Sequence, residues 1–192
     1  MVEARVEMVA PRRLRSSVVA AMRAAHPYEE PAFDVLELAS WPGSTGTGRV
    51  GTLRAPTTLR EFAAAVAAAL PATAQGVRFA GDPDGRVERV AVVGGSGDSF
   101  FDAVRASGAD AYVTADLRHH PTSELRERAD HEGSATPYLV DVAHFASEWP
   151  WLALAARTLA QDAAAAGTTV ETRVSTVSTD PWTGRVASPG TA

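Results

Sequence analysis

The amino-acid sequence predicts an α/β fold: a three-layer α/β domain with a mostly parallel sheet, preceded by a separate β-α-β unit. Two observations carry this. From Arg49 onward, short apolar runs alternate with longer runs of helical apolar spacing, the pattern of strands joined by helical crossovers. Before that point a strand-like, a helix-like and a second strand-like stretch stand apart, separated from the rest by a Gly-, Ser- and Thr-rich linker, Pro42 to Gly48.

In chain order, Val2 to Val9 alternates apolar and charged residues and predicts a strand that Pro11 ends. Leu14 to Ala25 places Leu14, Val18, Val19 and Met22 at helical spacing, and Pro27 stops that helix. His26-Pro27-Tyr28-Glu29-Glu30-Pro31 is a rigid turn, readable as a binding or assembly loop or as a turn whose Tyr packs on the helix end. Ala32 to Leu38 alternates again. In the second part, Val50 to Leu53 is a short strand. Thr58 with Glu61 forms a capping box for a helix that buries Phe62, Val66 and Leu70. Val77 to Ala80 and Val87 to Val93 are strands, the latter interior. Ser99 to Ser107 is a helix, Ala111 to Thr114 a strand, Pro121 to Asp130 a helix and Tyr138 to Val142 a strand. Pro150 to Ala166 is a helix that Gly167 ends. Thr169 to Val177 reads as a last strand. The domains expected are 1–42, 43–179 and a disordered tail 180–192 in which Trp182 is an anchor.

Composition restricts the chemistry. The 45% hydrophobic and 21% charged content over 192 residues suits a globular protein with a real core. The net charge of −5 and the lack of a basic run argue against a nucleic-acid partner. There is no cysteine, which excludes disulfides and thiolate chemistry. All 18 basic residues are Arg, which excludes a Schiff-base or P-loop lysine. No signal-like core or apolar span is evident, so neither a membrane nor an export route is expected, and the cytoplasm is the default location.

Three strand ends carry polar groups. His144-Phe145-Ala146-Ser147-Glu148 follows the strand Tyr138 to Val142, and Glu148 is expected in the first helical turn. His144 and Glu148 suit half of a divalent-metal site, and equally a surface His beside a Glu that favours a helix start. Gly94-Gly95-Ser96-Gly97 follows the strand Val87 to Val93. It suits an anion-cradling loop, and equally a tight turn with Ser99 as helix cap and Asp102 as its partner. It is neither a P-loop nor the dinucleotide fingerprint, since no Lys follows and Phe100 holds the third Gly position. Asp116 and His120 follow the strand Ala111 to Thr114, where each is a cap, a surface group or a proton carrier. Arg118 and His119 are expected to face solvent.

Taken together, His26 to Asp34, Gly46 to Leu53 with Gly94 to Gly97, and Thr114-Ala115-Asp116 to His120 with His144 to Glu148 resemble the Nif-three-like dinuclear-metal proteins, the GTP cyclohydrolase I type 2 homologues. The resemblance runs to about Val177. It implies two divalent metals per complete site (zinc, manganese and iron are not distinguished), with His144 and Glu148 as protein ligands and Asp116 and His120 beside the metals. It implies a homo-oligomer, trimeric or a toroidal hexamer, and a small-molecule ligand. The family's usual Thr-Gly-Asp reads Thr114-Ala115-Asp116 here, which matters only if that backbone needs a positive φ. Residues 2–38 resemble the second half of the family's ferredoxin-like, signalling-trimer-like insert. The family's remaining ligands, an adjacent His pair and an Asp, belong to a preceding half without counterpart here. The chain is therefore expected to be a C-terminal portion: a fragment, a protein with a late-placed start, or one whose other half a second chain supplies. The activity implied is metal-dependent hydrolysis of a phosphorylated or nucleotide-like small molecule; the alternative is a non-catalytic metal-binding assembly or regulatory protein.

Overall fold

A computed structural model of the chain describes residues 4–38 and 45–187. It divides into two compact units, Met1–Gly43 and Ser44–Ala192.

In the first unit a 3-10 turn, Arg12–Leu14, leads into α1, Arg15–Ala25. Glu37 receives Arg15 at 2.6 Å and Arg12 at 3.1 Å, both at the surface. His26 and Tyr28 meet edge to face, 5.1 Å between ring centres. The two strands expected on either side of α1 do not form. Residues 4–10 and 31–38 are extended but belong to no ladder, and Val6, Leu36 and Leu38 are exposed. Val2 and Glu3 lie outside the described residues. The physical reason is that alternation supplies only a face. A strand also needs a neighbour for its N–H and C=O groups, and two strands across one helix do not provide a stable sheet by themselves.

The second unit is built on one five-stranded sheet of order β1-β3-β4-β5-β2. Its strands are β1 (Gly48–Thr58), β2 (Arg78–Ala80), β3 (Arg86–Ser96), β4 (Ala111–Ala115) and β5 (Tyr138–Val142). β3, β4 and β5 run parallel, while β1 and β2 join the edges antiparallel, so the sheet is mixed. β4 and β5 are buried along their whole length, as continuous apolar runs covered on both faces should be. Two clusters fill the two sides. Leu59 and Phe62 of α2 (Leu59–Ala69) pack with Val113, Val140 and Val142. Val104 of α3 (Phe101–Ser107) and Leu125 of α4 (His119–His131) pack with Ala91, Tyr112 and Leu139. This is the layered α/β architecture expected.

Three local expectations change. The turn Asp98–Phe100 is 3-10, and neither it nor α3 has a side-chain cap, so Ser99 does not cap a helix. α5 spans His144–Ala165, with Pro150 inside it instead of opening it. Pro150 forgoes one backbone donor but fits because its own φ is helical. Thr169 to Val177 forms no strand and pairs with no strand of the sheet; Trp149 Nε1 of α5 donates to the Ser175 carbonyl at 3.0 Å. Residues 180–187 are described, with Trp182 exposed, and the remainder of the expected tail lies outside the described residues.

The capping box is formed as expected: Glu61 N–H donates to Thr58 Oγ1 at 3.2 Å and Thr58 N–H to Glu61 Oε2 at 3.1 Å. Because α2 packs Leu59 and Phe62 into the core beneath the sheet, Thr58→Ala should lower global stability by about 1 kcal/mol, read as a reduced urea midpoint with an unchanged slope.

Candidate metal centre

Parallel pairing of β3, β4 and β5 brings their carboxyl ends to one edge: Ser96 stands opposite Ala115, and Ala115 opposite Val142. Ligands collect at such edges because the loops leaving them converge. Asp116 leaves β4 there, His144 opens α5 after β5, and Gly94 to Ser96 are the last residues of β3.

His144 is the hub. Its Nδ1 lies 2.5 Å from Asp116 Oδ2, and its Nε2 lies 3.2 Å from Glu148 Oε1. Glu148 is one full turn beyond His144, in the second turn of α5 and not the first as expected, because the helix begins at His144 itself. The i, i+4 spacing places both side chains on one face. All three are roughly half exposed, so a solute reaches them. Two carboxylates hold the imidazole's pKa above its ordinary value, chiefly through the hydrogen bond that the ring donates to Asp116, against a smaller opposing effect of burial.

The glycine loop is packed beneath this pair. Gly95 N–H donates to Ser147 Oγ at 2.8 Å, and Ser147 Oγ donates to the His144 carbonyl at 2.8 Å. Thr114 Oγ1 donates to the Gly95 carbonyl, and Tyr112 OH donates to the Gly97 carbonyl, both at 2.9 Å. Burial pushes the Tyr112 hydroxyl pKa up, which keeps it protonated for that role. Gly97 N–H reaches the Ala115 carbonyl. Two of the loop's amides are thus engaged within the protein. Gly95 has φ +76°, and a Cβ there would stand 2.7 Å from Glu148 Oε1. Ala115 is an ordinary strand residue; the positive φ, +55°, falls on Asp116.

The structure therefore gathers Asp116, His144, Glu148 and the Gly94 to Gly97 strand end. His120 is not drawn in: it is exposed at the start of α4 with its ring edge-on to His119, and among the described residues no contact joins it to the other three. Arg118, expected to face solvent, is mostly exposed yet pairs with Asp98 at 2.6 Å. An open cleft of about 1150 Å³ surrounds His144 and Glu148, bordered also by Gln75, Asp116, Trp149 and Trp182. A smaller hollow of about 200 Å³ beside Leu70 and Val77 contains no ionisable side chain.

Donors about 2.1 Å from one zinc lie about 3.0–3.4 Å apart at octahedral to tetrahedral angles, and Nε2 to Oε1 is 3.2 Å. Both are metal-type donors, so they fit as one pair of ligands. Among the described residues no group of three His, Asp or Glu side chains is gathered to hold an ion.

A model of the Duf34/NIF3 (NGG1p interacting factor 3) family matches residues 5–181. The chain belongs to this family. Curated Duf34/NIF3 relatives named GTP cyclohydrolase 1 type 2 homolog match over 94% of the chain: the Mycobacterium tuberculosis protein at 54% identity and the Mycobacterium leprae protein at 52%. The chain spans under half of these relatives, 45% and 44% of their lengths. Among solved structures, Staphylococcus aureus protein SA1388 matches with TM-score 0.62 and 27% identity, over 93% of this chain and 54% of that one. A Bacillus cereus protein related to NIF3 matches with TM-score 0.61 and 31% identity, over 91% of this chain and 45% of that one. Among the described residues no helix is long and apolar enough to cross a membrane.

Sequence reasoning missed Ser147, Thr114 and Asp141. Ser147 lies inside the His144 to Glu148 stretch, and Asp141 is a charge within an apolar strand, a signal in itself. Thr114 carried no signal beyond its place at a strand end.

Gly95→Ala should be costly, since its φ of +76° opposes a Cβ; a loss of about 1–3 kcal/mol is expected, measured by denaturant unfolding. In metal-free protein His144 should titrate above the ordinary value, and Asp116→Asn should lower it, by NMR of the ring protons. The sign follows from linkage. A raised folded-state pKa stabilises fully below the unfolded value of about 6.5 and loses that contribution as pH rises through the folded value.

Proposed function

We propose that the chain carries one half of a divalent-metal centre belonging to a hydrolase of phosphorylated or nucleotide-like small molecules. The observation that carries this is the 3.2 Å approach of His144 Nε2 to Glu148 Oε1, with the other ring nitrogen already occupied by Asp116. Two electron-rich atoms facing one another at that distance need a cation between them, a proton or a metal. Zinc, manganese and iron are all compatible with one imidazole and one carboxylate. When bound, the metal would supply Lewis-acid activation of water.

The chain's own groups do the rest of the work. His144 and Glu148 hold the cation, and the Gly94 to Gly97 strand end sets their distance from β3. The cleft is large enough for a small-molecule ligand. Anion binding by the glycine loop is part of the proposal, confined to the amides that Gly95 and Gly97 do not already engage. Proton transfer by His120 is part of the proposal, from its exposed place at the start of α4 outside the gathered group. The second metal, the remaining ligands and a trimeric or hexameric assembly are part of the proposal and rest on the resemblance to the dinuclear-metal proteins alone.

A second reading, a metal-binding assembly or regulatory protein without turnover, is favoured by the two-ligand count. Calorimetry with zinc or manganese should show weak binding by this chain, lost in His144→Ala and sharply reduced in Glu148→Gln, while Glu127→Gln on α4 changes nothing. Tight binding of two metals by the chain alone would refute the half-site. Hydrolysis of a phosphoester or nucleotide panel by wild-type and not His144→Ala protein separates enzyme from regulator.

A further inference from the structure

We propose that Asp116 is a positioning residue: it accepts a hydrogen bond from the Nδ1–H of His144 and so aims Nε2 at Glu148, while Asp141 clamps the turn that presents it. This rests on the reading of His144 and Glu148 as ligands. Free imidazole has no fixed choice of which nitrogen bears the proton; a hydrogen bond at one nitrogen makes that choice for the other. Here Nδ1 faces the Asp116 carboxylate at 2.5 Å, and a carboxylate only accepts, so the proton belongs on Nδ1 and the lone pair on Nε2.

Asp116 is not placed to ligate the same ion. The two ring nitrogens point apart, and a cation about 2.1 Å from Nε2 would lie about 6 Å from Asp116 Oδ2. Nor is that oxygen free to abstract a proton from a substrate, since it is engaged with the ring. Its role is exerted through His144.

The backbone supports this orientation from a distance. Asp116 sits at φ +55°, a conformation Asp tolerates better than most residues. The next amide, Leu117 N–H, finds no ladder carbonyl and donates instead to Asp141 Oδ1 at 3.1 Å. Asp141 is buried on β5, and its other oxygen receives Arg78 Nε from edge strand β2 at 2.6 Å. A buried carboxylate keeps its charge only with such partners. Arg78, Asp141, Leu117, Asp116 and His144 therefore form one continuous polar chain from the sheet edge to the candidate ligand.

The test compares wild type, Asp116→Ala and Asp116→Asn, using long-range proton–nitrogen spectra of the His144 ring in metal-free protein above its pKa, and zinc titration by calorimetry. Wild type should carry the proton on Nδ1. Asp116→Ala should shift it toward Nε2 and weaken zinc binding by about 10–100-fold. Asp116→Asn, which keeps an acceptor oxygen, should keep the Nδ1 proton and lose less affinity. An unchanged tautomer in folded Asp116→Ala overturns the proposal. So does complete loss of zinc in either variant matching His144→Ala, which would make Asp116 a ligand. If alanine unfolds the chain, the Asn variant decides: a proton moved to Nε2 overturns the proposal, and one retained on Nδ1 with a modest zinc loss supports it. If the tautomer responds as stated while wild type binds no zinc, the metal reading fails and the positioning role stands.

Discussion

The parallel pairing of β3, β4 and β5 is the constraint on which the rest of the second unit depends. Parallel strands cannot be joined by tight hairpins, so α3 and α4 must cross the sheet between them. The crossovers cover one face and α2 packs on the other, which permits strands as apolar as Ala111–Ala115 and Tyr138–Val142. They also return each chain to the same starting edge, so every strand ends where its neighbours end. A carboxylate after β4 and an imidazole after β5 meet for that reason, although 28 positions separate them.

Convergence alone would leave polar backbone crowded into a dry corner. The structure answers with short side chains from the inner strands. Thr114 and Tyr112 serve the carbonyls of the glycine strand end, and Ser147 links it to the first turn of α5. Each such bond contributes about 1 kcal/mol when made, and a buried group left without one costs about 1–3 kcal/mol. The surface ion pairs, such as Arg5 with Glu7, are by contrast worth about 0–1 kcal/mol and decide nothing about shape. The positive φ of +76° at position 95 explains the glycine there, a conformation that a Cβ opposes.

The same need for partners marks where expectation and structure part. Residues 4–9, 32–38 and 169–177 all have strand-like alternation, and none is a strand. Alternation reports which side chains would face apart if a strand existed; it does not supply the neighbouring strand that a ladder requires. α5 diverged for another reason. Proline commonly opens helices, which favours a start at Pro150, yet the residues before it are already tied to β3 and β4 through Ser147 and His144.

The sequence by itself determined the α/β class, the capping box at Thr58 and Glu61, the order of strands and helices from Arg49 to Ala165, and the set of strand ends that bear ionisable groups. These are local properties: period, turn residues and caps act over a few positions. Family membership was legible in the motif spacing for the same reason. Only the tertiary structure decided that Asp116 faces one ring nitrogen and Glu148 the other, that His120 stands aside, that Asp141 holds the turn, and that both sheet edges are antiparallel. Those outcomes depend on which distant backbone groups find each other, and no local pattern records that choice.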